Sequence, residues 1–287
     1  AMANRAFVSL GRNAFDALRL SYIHKQDVLD LCTVEGEEHL RAACQSGRGV
    51  VALTGHIGCW ELLAAYFGSK GYPSNVVYRK QRDARLDETI VGIRSRHSVK
   101  SIPRGASAVS AFRVLKRGEI LAMLIDQDID IDGVFVPFFG VPAHTPRGAA
   151  VFALRSGAYV VPVAIHMKPD GRHHITVRPP LEPPSEDLAD EERIDAFTKQ
   201  CSLAVESLIR ICPEQWVWFH DRWRRRQMPD VAQVPLTRES TGESVKHDRA
   251  GDLGSGDSDP REDSGWKSAE FSRSAPARVR EIVSNDV

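Results

Sequence analysis

The chain has 287 residues, 38 basic and 38 acidic side chains, no net charge, and 42% hydrophobic residues. The neutrality is a cancellation: residues 230–287 hold 12 acidic and 8 basic side chains, which leaves 26 against 30, a net of +4, in the rest. Such a mild excess suits an anionic ligand or a membrane surface without calling for nucleic acid. The five cysteines, at 32, 44, 59, 201 and 212, form no C-x-x-C pair, so they read as reduced thiols rather than a disulfide frame or a zinc site.

Phe7, Leu10, Ala14, Phe15 and Leu18 recur at helical spacing and predict an amphipathic helix over about 4–22. No 18-residue uncharged apolar window occurs, so no spanning helix is expected, and the start of the chain lacks a signal-peptide pattern. "EGEEHLRAACQSG" reads as a second helix stopped by Gly47, and "GVVALT" (49–54) as a short apolar strand leading into a helix over 57–69. "NVVYR" (75–79) and "VKSIP" read as strands on either side of a helix capped by Asp83. Ser107 is a candidate cap for "AVSAFRVLKR", and "EILAMLI" (119–125) reads as a fully buried strand leading to Asp126. A loop, a helix over 146–156, a hairpin of "YVVPVAIHM" and "HHITVRPPL", and a helix over 187–211 complete residues 1–229, the expected folded domain. Residues 230–287, rich in Ser, Gly, Asp and Arg, read as a disordered polar tail.

Strands alternate with helices through most of this body. That pattern predicts an α/β fold with a mostly parallel sheet flanked by helices and closed by an antiparallel hairpin. In open α/β sheets ligands bind at the carboxyl ends of the strands. His56, Arg79, Arg104 and Asp126 each follow a strand closely and are expected to gather on that edge.

His56 and Glu61 form an H-x4-E pair in "LTGHIGCWELL" (53–63). On a regular helix positions i and i+5 lie roughly 140° apart, so the two meet only if His56 sits in the turn before the helix. Gly55 and Gly58 permit such a turn. A carboxylate on one imidazole nitrogen fixes the tautomer and frees the other nitrogen to take a proton. The competing reading is a hydrogen-bonded turn histidine beside a solvated helix glutamate.

Seven segments, in order, decide between these. They are "TGHIGCWE", "VYRKQRDARLDE", "IRSRHSVKSIPR", "LKRGEILAMLIDQD", "GVFVPFFGVPAHTPRGAAVFALRSGAYVVPV", "KPDGRHHITVRPPLE" and "PEQWVWFHDRW". Over about residues 5–227 the chain resembles the bacterial lipid A late acyltransferases and the related phosphatidylinositol mannoside acyltransferases. The resemblance implies a glycerolipid-acyltransferase-like fold and transfer of an acyl chain from a thioester to a lipid hydroxyl. It places the protein at the cytoplasmic face of the inner membrane. By the family pattern His56 and Glu61 are the catalytic dyad, and Arg79, Arg94, Asp126, Gln127, Phe139 and Gly140 are site positions. Arg104 joins Arg79 and Arg94 as a candidate phosphate ligand, with Asp126 orienting one of the arginines. Backbone N–H groups of the 55–58 turn, or Arg79, are candidates for stabilising the oxyanion.

The implied donor is a thioester of acyl carrier protein or coenzyme A. The acceptor is a glycolipid, a lipid A precursor first and a mannosylated phosphoinositide second. No metal, other cofactor or nucleic acid is expected. Two departures from the family pattern are Ser98, where glycine is frequent, and the absence of its usual N-terminal membrane helix. From residues alone the alternatives are a metal-dependent hydrolase built on His56, Glu61 and the Asp126–Asp132 cluster, or a lipid-binding homologue without turnover. "DIDIDGVFVPFF" begins like a calcium loop but has Phe139 at its twelfth position, where a bidentate Glu is needed. "VFVPFFGVP" (134–142) is expected to serve both core and acyl-chain cleft. Trp216 and Trp218 are expected to pack in the core, and Arg222–Arg226 to meet lipid headgroups or solvent.

Overall fold

A computed structural model describes residues 2–104 and 108–226; the cap expected at Ser107 and the tail expected over 230–287 lie outside the described residues. The elements in order are α1 (Met2–Arg19), α2 (Lys25–Asp30), β1 (Cys32–Glu35), α3 (Glu37–Gln45), β2 (Val50–Thr54), α4 (Trp60–Ser69), β3 (Ser74–Tyr78), α5 (Ala84–Arg96) and β4 (Val99–Pro103). There follow α6 (Ala108–Lys116), β5 (Ile120–Leu124), β6 (Gly133–Phe138), β7 (Val141–Pro146), α7 (Gly148–Ser156), β8 (Tyr159–Met167), β9 (His173–Val177), α8 (Asp190–Ile209) and a 3₁₀ turn, Pro213–Gln215. None of the described helices is long and apolar enough to cross a membrane.

Seven strands form one sheet in the order β1-β9-β8-β2-β5-β3-β4. β8, β2, β5, β3 and β4 run parallel, and β9 pairs antiparallel with β8 as the expected hairpin. The fold is therefore the expected α/β arrangement. Alternation along β2 explains its two covered faces. Val51 and Leu53 face α6, α7 and α8 with Ala111, Leu115, Ala150, Val205 and Leu208. Val50 and Ala52 face the other layer with Leu20, Leu40, Leu62 and Phe67. β5 departs from the fully buried reading: Ala122, Met123 and Leu124 are half-buried because they open on a cleft.

Four elements were not expected. α2 and β1 are one short helix and one four-residue edge strand, the latter pairing parallel with β9. The apolar run after Asp132 is an antiparallel hairpin, β6–β7, rather than a loop. Phe139 and Gly140 form its two-residue turn with φ of 51° and 73°, the pair of left-handed residues a tight hairpin requires. Glycine is indispensable at one turn near the site. Gly58 has φ of 54°, and a Cβ there would strike the carbonyl oxygen of Ile165 on β8.

Candidate active site

The parallel strands deliver their following residues to one edge. Thr54 on β2 pairs with Leu124 on β5, so His56 and Asp126 each lie two residues past a matched pair. They meet there. His56 Nδ1 is 2.8 Å from Asp126 Oδ1, and the His56 backbone N–H donates to Asp126 Oδ2 at 2.7 Å. Trp216 Nε1–H donates to the same Oδ2 at 2.8 Å. Gly55 is open enough for this approach; a Cβ on it would sit 3.0 Å from Asp126 Oδ2. Burial pushes the Asp126 carboxyl upward, but His56, its backbone N–H and His220 outweigh it and hold the carboxyl well below the usual carboxylate range. Asp126 is thus an ionised acceptor and His56 Nδ1 must donate to it, so that in the neutral imidazole the lone pair falls on Nε2.

The turn that carries His56 is clasped by the last described segment. Ile57 bridges to Trp216, Gly58 N–H donates to Gln215 O at 2.9 Å, and Val217 N–H donates to His56 O at 3.0 Å. The N–H groups of His56, Ile57 and Gly58 are therefore already engaged, with Asp126, Gly55 O and Gln215 O respectively. Of the expected sources of oxyanion stabilisation, these three N–H groups of the 55–58 turn are spent, which favours Arg79 over them.

Two expectations about carboxylates are corrected. Glu61 does not orient His56: no hydrogen bond or ion pair joins them. Glu61 stands in the first turn of α4 and receives Arg94 of α5 in a two-pronged pair, Nε to Oε2 at 2.9 Å and Nη2 to Oε1 at 2.6 Å. The Arg94 guanidinium also lies over the Tyr78 ring, 5.2 Å from its centroid. Asp126 in turn orients the imidazole, not an arginine. The physical reason is the helix start at Trp60: it aims Glu61 across to α5, whereas the neighbouring strand brings Asp126 directly beside His56.

A cavity of about 560 Å³ opens at this edge. His56, Glu61, Arg79, Arg94, Arg104 and Gln127 line it, so six of the nine expected site residues share one space. Its remaining wall is mostly apolar, with Leu63 and Phe67 on one side of the sheet and Ala111 and Phe152 on the other. Arg79 and Arg104 have no hydrogen-bonding or ion-pairing partner for their guanidinium groups among the described residues. Burial, with the repulsion of Arg79, lowers Arg104 from its ordinary value. Two unneutralised cations side by side are suited to an anion.

Phe139 and Gly140 do not reach the cavity, and neither does any other residue of 134–142. Phe139 is buried against Trp216 and Trp218, under the Arg210 guanidinium, with its N–H bound to Glu206 at 2.7 Å. The hairpin puts its apolar side into the core, so the expected cleft role fails on geometry. Trp216 and Trp218 pack as expected. Arg222 turns inward to His144 O and Thr145 Oγ1, and Arg225 pairs with Asp128 and Asp130, so neither meets solvent as a free charge. Asp132 pairs with Arg147, which leaves the Asp128–Asp132 run spent on structural pairs rather than converging on His56.

One site residue escaped the sequence reading. His220 stacks edge-on to His56 with centroids 4.9 Å apart, and Gln127 Nε2 lies between them, 3.2 Å from His220 Nδ1 and 3.4 Å from His56 Nε2. Its signal was only its place in "WVWFHDRW", masked by the tryptophans. His56, Asp126 and His220 present ligand-type atoms within 4.8 Å of one another. Tetrahedral zinc needs its ligand atoms at about 2.0–2.2 Å from one centre, and both Asp126 oxygens are already hydrogen-bonded. The trio fits a hydrogen-bonded cluster better than a metal centre.

Residues 1–225 match the family model described as bacterial lipid A biosynthesis acyltransferase. The chain is 34% identical over 197 residues to the lipid A biosynthesis lauroyltransferase of Escherichia coli K12, covering 67% of this chain and 62% of that protein. It is 25% identical over 201 residues to the phosphatidylinositol mannoside acyltransferase of Mycolicibacterium smegmatis, covering 69% and 62%. It is 24% identical over 194 residues to the lipid A biosynthesis acyltransferase of Haemophilus influenzae, covering 67% and 59%. The chain thus spans about three fifths of the length of these relatives. With a family model matched across almost all of the described residues, the chain belongs to the bacterial lipid A biosynthesis acyltransferase family.

Proposed function

We propose that the protein transfers a fatty acyl chain from a thioester to a hydroxyl of a membrane glycolipid, with His56 as general base and Asp126 as the carboxylate that orients it. The observation that carries this reading is the His56–Asp126 pair, with His56 lining a largely apolar cavity that also holds Arg79 and Arg104, whose guanidinium groups have no partner among the described residues. A thioester already has a good leaving group; a sugar hydroxyl at neutral pH is a poor nucleophile. His56 Nε2 takes the hydroxyl proton as the oxygen attacks the thioester carbon. The tetrahedral intermediate then collapses, the carbon–sulfur bond breaks, and the imidazolium returns the proton to the departing thiolate. General-base help of this kind contributes about 10²–10⁴ in rate. Asp126 offsets the positive charge that His56 acquires, and Arg79 faces the carbonyl oxygen as charge builds there. The apolar wall takes the acyl chain. Arg104, with Arg79, holds a phosphate of the glycolipid or of the carrier. Glu61 contributes by fixing Arg94 and the cavity wall.

A lipid A precursor is the first acceptor to test, as the relatives named for lipid A biosynthesis support. A mannosylated phosphoinositide is the second, supported by the mycobacterial relative. The reaction is proposed to need no bound metal and to take place at the cytoplasmic face of the inner membrane. The test is acyl transfer by purified protein in detergent micelles, with acyl-carrier and coenzyme-A thioesters offered to each acceptor. Product that survives chelator and collapses in His56→Ala and Asp126→Asn supports the reading. Full activity in His56→Ala, or loss of activity on chelation that zinc restores, sinks it.

A further inference from the structure

His220 lies in no strand or helix, in the segment that closes over the His56 turn. Its neighbours are His56, Trp216, Gln127 and, by charge, Asp126 and Arg222. Gln127 reaches both imidazoles through one atom, Nε2. An amide nitrogen only donates, and it has two hydrogens, so both imidazole nitrogens facing it must be acceptors. The reverse orientation, with Oε1 toward the rings, would require His56 to carry protons on both nitrogens, because Nδ1 already donates to Asp126. With His56 as the neutral free base that the acyl-transfer reading requires, the arrangement has one consistent proton pattern. His56 holds its proton on Nδ1, His220 holds its proton on Nε2, and the Gln127 amide bridges their lone pairs. Burial first, then His56 and Arg222, push His220 down to about 4 against the opposing pull of Asp126, so it is neutral at physiological pH and can accept.

His220 Nε2 is buried with no hydrogen-bond partner among the described residues. A phenylalanine would fill the same space without that cost. What the imidazole adds over a phenyl ring is the Nδ1 lone pair.

We propose that His220 is a positioning residue of this site: its Nδ1 holds the Gln127 carboxamide with the NH2 edge toward His56, and that edge keeps the His56 Nε2 lone pair free of a proton until an acceptor hydroxyl takes its place. The inference deepens the acyl-transfer reading and rests on it. Without His220 the Gln127 amide is free to turn its oxygen toward His56, where it would favour imidazolium over the free base.

The test compares His220→Phe, which removes the acceptor, with His220→Asn, whose Oδ1 stands close to where Nδ1 was. Circular dichroism melting checks that each variant folds. In ¹⁵N-labelled full chain, NMR should show His220 as the Nε2–H tautomer. The Gln127 side-chain NH2 should exchange slowly in wild type and His220→Asn and at least about tenfold faster in His220→Phe. In the acyl-transfer assay His220→Phe should lower kcat about 10- to 100-fold, with KM changed little and His220→Asn largely restored. The double variant His220→Phe/Gln127→Ala should be no worse than Gln127→Ala alone, because both act through one amide. The proposal is overturned if a folded His220→Phe keeps wild-type kcat, if the two losses multiply, or if His220→Asn is as poor as His220→Phe. A wild type that transfers no acyl chain would sink the functional reading. The NMR arm would still decide the His220–Gln127 geometry, and fast Gln127 exchange in wild type would overturn it.

Discussion

Two carboxylates near the same cavity have opposite partners: Glu61 lines it, and Asp126 is buried beside the His56 that lines it. Asp126 lies 70 positions from His56 and holds it through two hydrogen bonds; Glu61, five positions away, turns aside to Arg94. The first pair joins the ends of two neighbouring parallel strands. The second joins two helices that cover one face of the sheet. Adjacent strands fix their following residues to within hydrogen-bond reach, whereas residues five apart across a helix start diverge. Closeness in sequence is therefore the weaker guide to which acid serves the histidine.

The sharpest way to break this contrast is kinetic. Asp126→Asn should lower kcat about 10³-fold, since the wrong tautomer and an unstabilised imidazolium follow, while Glu61→Gln should lose about tenfold. Equal losses, or a larger one for Glu61→Gln, would restore the H-x4-E dyad as the working unit. The next effect is on stability. Glu61 and Arg94 are both mostly buried, so Glu61→Ala leaves a charge without a partner and should cost about 3 kcal/mol by urea denaturation. Glu61→Gln combined with Arg94→Met should cost clearly less than the sum of the two single changes.

A smaller effect separates the pairs by pH. His220 sits on the His56–Asp126 side and is lowered from 6.5 to about 4. The unfolded chain then binds this proton more readily over that window, so stability falls as pH drops from about 6.5 toward 4. After allowance for partial exposure the contribution is about 2 kcal/mol. His220→Phe should flatten the pH dependence of the denaturation midpoint by that amount; His144 and His166, also lowered by burial, act in the same direction. The smallest effect concerns the end of α5. Ser98 has φ of 61°, where glycine carries no strain, and its hydroxyl accepts Lys25 Nζ in an exposed bond. Ser98→Gly should stabilise by under about 1 kcal/mol and leave kcat unchanged; a kinetic change would mean that α5 transmits strain to Arg94.

Much of this was legible beforehand. Strand–helix alternation located nearly every element, and the position of His56, Arg79, Arg104 and Asp126 just past strands put them on one edge. Periodicity does not state which strands are neighbours, and without β2 beside β5 the partner of His56 is hidden. The β6–β7 hairpin read as a loop because Pro137 and Pro142 and the acidic run before it resemble turn composition, while the left-handed turn at Phe139 uses a residue rarely found there. β1 is too short to show alternation. His220 lay in a segment without regular structure, where no spacing rule applies.

The clasp of residues 215–217 on the His56 turn, with Trp216 bonded to Asp126, bears on how the molecule is made. During synthesis β2 emerges early but cannot acquire both sheet neighbours until β5 and then β8 have left the ribosome. The aromatic segment that seals Asp126 follows α8 and is among the last of the described residues to appear. A nascent chain therefore carries its histidine and aspartate before Trp216 has arrived to seal them, and the site is completed only when the segment after α8 has emerged.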